Sequence, residues 1–200
     1  MRNRIRTMLL IGGVVLVAGL TAAPSSATTM TWKIHPGGAI SGKSAAVKLG
    51  DGSSTLLTCA SRFKGKLKSG SGLPGKGAGS ITSMSFSNCK SAVAGAATLT
   101  PALPWPINFS TLSKGVVDGT WGSVKLSFGA TGCSATVQGT SAANGVVLFT
   151  WTLSTGKLTL LKTGGNLHYT NVTGCFGLIS NGDPASLSGT YTVTPTQSIS

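Results

Sequence analysis

The chain contains no glutamate, and its whole acidic complement is three aspartates against 16 lysines and arginines, a formal net charge of +13. Acid–base catalysis needs carboxylates or imidazoles in tuned surroundings. The candidates here are only Asp51, Asp118, Asp183, His35 and His168. Asp51 and Asp118 each precede a glycine and Asp183 precedes Pro184, positions where an aspartate bonds turn backbone, so all three are assigned to turns. His35 stands before Pro36 and His168 inside the run NLHYTNV, and nothing in their spacing brings them together. No G-x-S-x-G elbow marks a serine nucleophile. The four cysteines, Cys59, Cys89, Cys133 and Cys175, show no C-x-x-C spacing for zinc. The expectation is a protein with no catalytic residue, cofactor or metal; a serine hydrolase using His35 or His168 is kept as a third reading.

Long apolar runs are also scarce. The one example, Met8 to Leu20, follows Arg2, Arg4 and Arg6 and precedes small residues at Ser25 and Ala27. That order of charge, apolar stretch and small residues reads as a secretory signal peptide over 1–27, leaving 28–200 as one exported domain. The run is short of the roughly 20 residues a spanning helix needs. Asn3 separates the arginines, so no twin-arginine pair is present, and no cysteine near the cut suggests a lipid anchor. The expected product is secreted, has no membrane span after cleavage, and carries a net charge of about +10. Such a charge favours anionic surfaces without specifying one, and no specific nucleic-acid motif is present. Outside the cell the cysteines should be oxidised. Four allow three pairings, among which spacing alone cannot choose.

What the chain has in abundance is Thr, Ser, Gly and Val. Short runs alternate apolar and hydroxyl side chains between turn signals such as GDG at 50–52, SGSG at 69–72 and NGDP at 181–184. The clearest is VVLFTWTLSTGKLTLLK: Val147, Phe149, Trp151 and Leu153 fall on one face, the chain turns at 154–157, and it returns through Leu158 and Leu160. Period two is the pattern of a sheet with one buried face. The sequence therefore predicts an all-β protein, an antiparallel sandwich or barrel of about ten to twelve strands.

Markers recur in order along the two halves 31–101 and 120–195: TW at 31–32 and 120–121, VKL at 47–49 and 124–126, a first cysteine, SFSNC against NVTGC, then TLTP at 98–101 and TVTP at 192–195. One reading is a duplicated unit stapled within each half, pairing Cys59 with Cys89 and Cys133 with Cys175, since consecutive strands tend to be neighbours. The other is coincidence in a chain so rich in four residue types.

Three features invite a functional reading. GGAISGKS, Gly37 to Ser44, matches the phosphate-loop pattern, but glycines follow where a helix is required, so it is read as a loop between strands. Arg62, Lys64, Lys66 and Lys68 fall at period two and would line one face of a strand, with Phe63 and Leu67 on the other. Such a stripe either grips a polyanion or protects an edge strand from pairing. Among the four tryptophans, Trp105 lies between prolines in LPWPI, which keeps it out of a regular central strand and makes it the candidate for an exposed, sugar-stacking ring. Asn108 and Asn171 match glycosylation sequons, which matter only in a host that uses them.

The segments LTCAS, GAGSITSMSFSNC, LPWPINF, GCSATVQGTS and GGNLHYTNVTGCFGLISNGDPASLSGTYTVTP cover most of the exported part. Through them the chain resembles a group of small secreted proteins from high-GC Gram-positive bacteria. The resemblance implies export, an all-β fold and paired cysteines, and brings no catalytic or binding residues. The expected function is a non-catalytic binding or structural module at or near the cell wall, with an anionic wall polymer or carbohydrate as partner. The alternative is a secreted protein-binding factor such as a protease inhibitor or effector.

Overall fold

A computed structural model describes residues 30–91, 96–140 and 144–200; the expected signal peptide lies outside the described residues. The strands in chain order are β1 (Thr31–His35), β2 (Gly38–Gly50), β3 (Thr55–Leu67), β4 (Gly70–Pro74), β5 (Gly79–Ser91), β6 (Ala97–Pro101), β7 (Trp105–Ser113) and β8 (Val116–Trp121). They continue as β9 (Leu126–Ala130), β10 (Cys133–Gln138), β11 (Val147–Thr152), β12 (Lys157–Leu160), β13 (His168–Gly174), β14 (Ser186–Thr194) and β15 (Ser198–Ile199). Eight of them close an antiparallel barrel in the order β2, β3, β5, β7, β8, β11, β12, β14. A three-stranded sheet, β15-β1-β4, and a four-stranded sheet, β13-β10-β9-β6, accompany it. The fold is thus all-β, and between sandwich and barrel it is a barrel. Among the described residues fifteen strands exceed the expected ten to twelve because short pieces such as β4 and β15 join the long ones.

Alternation puts the apolar residues inside. Trp121 lies at the centre of an aromatic cluster, with Phe63, Tyr191, Phe149 and Trp105 rings 5.6, 5.7, 6.4 and 6.1 Å away. Two glycines make room for it. A Cβ on Gly42 would lie 2.1 Å from Phe63, and one on Gly119 would lie 2.5 Å from Phe149. The buried Tyr191 hydroxyl donates to Ser61 Oγ at 2.9 Å. Burial holds its pKa well above the ordinary tyrosine value.

The outer face of the barrel is mostly hydroxyl and lysine, the inverse of the apolar band of a lipid-facing barrel. Among the described residues no helix is long and apolar enough to cross a membrane. The small sheets sit at opposite ends of β3. Tyr169 of β13 donates to the Gly50 carbonyl beside its start, and β1 precedes the β2 residues that pair with its end.

Both disulfides join within halves, Cys59–Cys89 across β3 and β5 and Cys133–Cys175 from β10 to the short 3-10 turn Cys175–Gly177. Their sequence separations of 30 and 42 residues make each worth about 3–4 kcal/mol in the chain-entropy account. The recurrent markers occupy different sheets: VKL lies in barrel strand β2 in the first half and leads into β9 of the four-stranded sheet in the second. TLTP lies in β6 of that sheet, while TVTP lies at the end of β14 in the barrel.

Two local expectations need correction. The phosphate-loop match is no loop between strands. Residues 38–44 are the first half of β2, and Gly42 is there to admit the Phe63 ring. Asp118 is not in a turn. It lies in β8, opposite Thr150, and the glycine after it makes room for Phe149.

Candidate anion-binding face

β3 alternates cleanly. Arg62, Lys64 and Lys66 are exposed while Phe63, Gly65 and Leu67 are buried, and Lys68 continues the outward series just past the strand. The strand is internal to the barrel, hydrogen-bonded to β2 on one side and β5 on the other. Its cations therefore do not protect an edge, and that explanation of the stripe falls.

The neighbouring strands extend the charge. Lys43 of β2 stands directly opposite Arg62, and Thr192 of β14 stands opposite Lys43 on its other side. Lys157 of β12 is opposite Thr192 and donates to its hydroxyl at 2.7 Å. Lys48 faces Ser188 and Thr58, and Lys90 of β5 faces Thr58 from the far side. All these cations are exposed, and among the described residues no carboxylate pairs with any of them. Directly opposed like charges about 5 Å apart destabilise a sheet, so Lys43 beside Arg62 is a local cost.

Two shallow depressions mark this face where bulges interrupt the ladders. One lies over Gly65, where the β3–β5 register shifts. It is bordered by Lys64 and Lys66, with Ser41, Thr82 and Thr194 around it. The other lies over Ala45, Ala46 and Gly189, where β2 and β14 both bulge. It is bordered by Lys48 and Lys162, with Thr159, Ser188 and Thr190 around it.

The carboxylates are engaged elsewhere. Asp51, in the β2–β3 turn, accepts from the backbone N–H and hydroxyl of both Ser53 and Ser54, which hold its carboxyl well below the usual range. Asp118 accepts from Thr111 Oγ1 at 2.7 Å, and Asp183 from the Ser180 N–H at 2.7 Å. His35 is in β1 and His168 in β13, in different sheets; His168 Nδ1 lies 2.9 Å from the Asn166 carbonyl.

Trp105 is a correction. It is buried, pairs with Ile81 as the first residue of β7, and donates its indole N–H to the Ala102 carbonyl at 2.7 Å. The flanking prolines start the strand and do not expel the ring. The other three tryptophans are buried too, so no tryptophan offers a sugar-stacking platform. The Asn108 sequon is likewise engaged: its amide accepts from the Gly77 N–H and donates to Thr120 Oγ1.

Sequence reasoning found the β3 cations and missed Lys43, Lys48, Lys90 and Lys157. Lys43 and Lys48 are five apart, a spacing that puts residues on opposite faces of a regular strand. The bulge at Ala45 and Ala46 returns both to the outside. Comparison with protein-family models, with curated proteins and with solved structures finds no match.

Proposed function

We propose that the protein is a non-catalytic binding module acting outside the cell, at or near the cell wall, and that it holds an anionic surface by the face built from β12, β14, β2, β3 and β5. The observation that carries this reading is the internal position of β3. A row of unpaired cations on a strand with no free edge serves neither the core nor protection of an edge, while it meets the electrostatic requirement for anion adhesion. The two disulfides suit an oxidising compartment. The test is retention of the purified protein on isolated cell walls in rising salt. Retention should fall steeply between low and physiological ionic strength and should be lost in the variant Lys43→Gln/Arg62→Gln/Lys64→Gln. Retention indifferent to salt and to these changes would defeat the proposal.

One observation favours a second reading, that of a protein-binding factor. The turn after β13 is anchored by Cys133–Cys175 and presents Phe176 at 77% exposure beside exposed Leu178. A rigid loop carrying an exposed apolar residue is what an inhibitor inserts into a partner. Inhibition of common proteases that disappears in Phe176→Ser would favour it over the wall-binding reading.

A further inference from the structure

Building on the anionic-surface reading, we infer that the ligand is a linear phosphate-bearing polymer lying lengthwise along β2, from the depression at Lys48 and Lys162 to the depression at Lys64 and Lys66. At both depressions the barrel's outer face is indented between cations, and both fall along β2. Between them stand Lys43 and its neighbours Arg62 and Thr192, so the charge is continuous. From Ala39 to Lys48 the strand covers about 30 Å at roughly 3.3 Å per residue. A mononuclear anion fills one depression at most, and only a chain of that reach engages both.

The chemistry of the track selects among polyanions. Its cations are lysines with the single exception of Arg62, and each depression adds serine and threonine hydroxyls. Lysine acts as a point charge suited to phosphate, whereas planar carboxylates are best met by the fork of arginine. Single-stranded nucleic acid is held through base stacking on aromatic rings. Here all four tryptophans and both tyrosines are buried, and the one exposed large aromatic among the described residues, Phe176, lies beyond β13 and off the track. A polymer without bases fits this surface better than one with them.

The experiment measures binding of the full exported chain to inorganic polyphosphate fractions of graded length, at equal total phosphate. Affinity should rise about tenfold between fractions too short to reach both depressions and those that span them, then level off. Lys48→Gln and Lys64→Gln, at opposite ends, should each remove the step, while Lys33→Gln in β1 and Lys125→Gln before β9 should change affinity less than about twofold. Circular dichroism confirms that each variant is folded. Binding that depends on total phosphate and not on length, with wall retention still salt-sensitive, overturns the lengthwise track and leaves flat adhesion standing. A length step that survives both track variants places the site elsewhere. Tighter binding of oligo-dT or polygalacturonate than of polyphosphate of equal span and charge overturns the phosphate assignment. Binding to neither polymer nor wall overturns the anionic-surface reading itself.

Discussion

The barrel has two outer faces of opposite character over one shared interior. Around β12, β14, β2, β3 and β5 the outward positions carry lysine after lysine among hydroxyls. Around β7, β8 and β11 the strands hold no lysine or arginine at all, and their outward residues include Asn108, Thr120, Thr150 and the carboxylate Asp118. Both sets of strands point the same kinds of residue inward, Phe63 and Tyr191 from one side meeting Trp121 and Phe149 from the other. Solubility alone would be met by cations spread around the barrel. Within the barrel strands they gather on one side instead, with Lys43 directly opposed to Arg62, and that clustering is what the anionic-surface proposal rests on.

The harshest way to separate the two regions is through the disulfides. Cys59–Cys89 ties together the two strands that bear Arg62, Lys64, Lys66 and Lys90, while Cys133–Cys175 lies off the barrel wall, on the four-stranded sheet. Removing either, as Cys59→Ala/Cys89→Ala or Cys133→Ala/Cys175→Ala, should lower unfolding free energy by about 3–4 kcal/mol in urea titration. The first should also weaken retention on cell walls and the second should leave it intact. Equal loss of retention in both variants would mean that the basic face has no local independence.

Next in size is the shared interior. Tyr191→Phe removes the hydroxyl that Ser61 meets and leaves a buried serine without its partner, a loss of about 1–2 kcal/mol. The folded-state pKa of Tyr191 lies above its ordinary 10.0, as does that of Tyr169, chiefly through burial. Unfolded tyrosines lose their protons first as pH rises. The stabilisation is therefore complete below pH 10 and falls away above it, and urea midpoints should drop on the alkaline side. A midpoint flat past that pH would show that neither hydroxyl is desolvated.

How much of this contrast the sequence carries follows from what is local and what is not. Period two in VVLFTWTLSTGKLTL is local, and the hairpin it predicts is β11 and β12 with Phe149 opposite Leu160 and Thr152 opposite Lys157. The alternation of 62–68 is local as well, so which β3 side chains face out was legible. Which strands lie beside β3 was not. β14 sits against β2 although the two are distant in sequence, and no period within either segment reports that. The same limit hid the internal position of β3 and the cations of β2, β5 and β12. Trp105 misled because proline flanks argue against a central strand, whereas the burial of a ring at the first residue of β7 is decided by the barrel closing on β5.

A gentler way to sharpen the contrast is to add cations to the other face. Thr120→Lys/Thr150→Lys places two lysines on adjacent strands β8 and β11, at half-buried positions near Asp118. If net charge alone drove adhesion, this variant would gain retention in proportion to its two charges. The expectation from the geometry is a gain of less than about twofold at physiological salt, because lysines on β8 and β11 stand away from the proposed track along β2 and their charge is screened over that distance. A gain matching what two removed track lysines cost would show that position on the barrel is irrelevant.

The smallest effect concerns Asp51, the only carboxylate on the β2–β3 hairpin. Were it a partner for the lysines, Asp51→Asn would raise affinity for an anionic polymer. Instead its oxygens accept from the N–H and hydroxyl groups of Ser53 and Ser54, so the substitution should leave retention within about twofold. The same bonds set its pH behaviour. The folded-state pKa is depressed below the ordinary 3.8, chiefly by the Ser54 N–H. The folded protein therefore keeps this carboxylate ionised where the unfolded chain takes up a proton. Its contribution is complete above the ordinary value and drains away as pH falls below it. Because the group is almost wholly exposed, that contribution is under about 1 kcal/mol. Asp51→Asn should give up the same small amount at neutral pH and show a flatter stability curve on acidification. An unchanged acid limb in that variant would show that the bonds from Ser53 and Ser54 to Asp51 do not set the acid sensitivity.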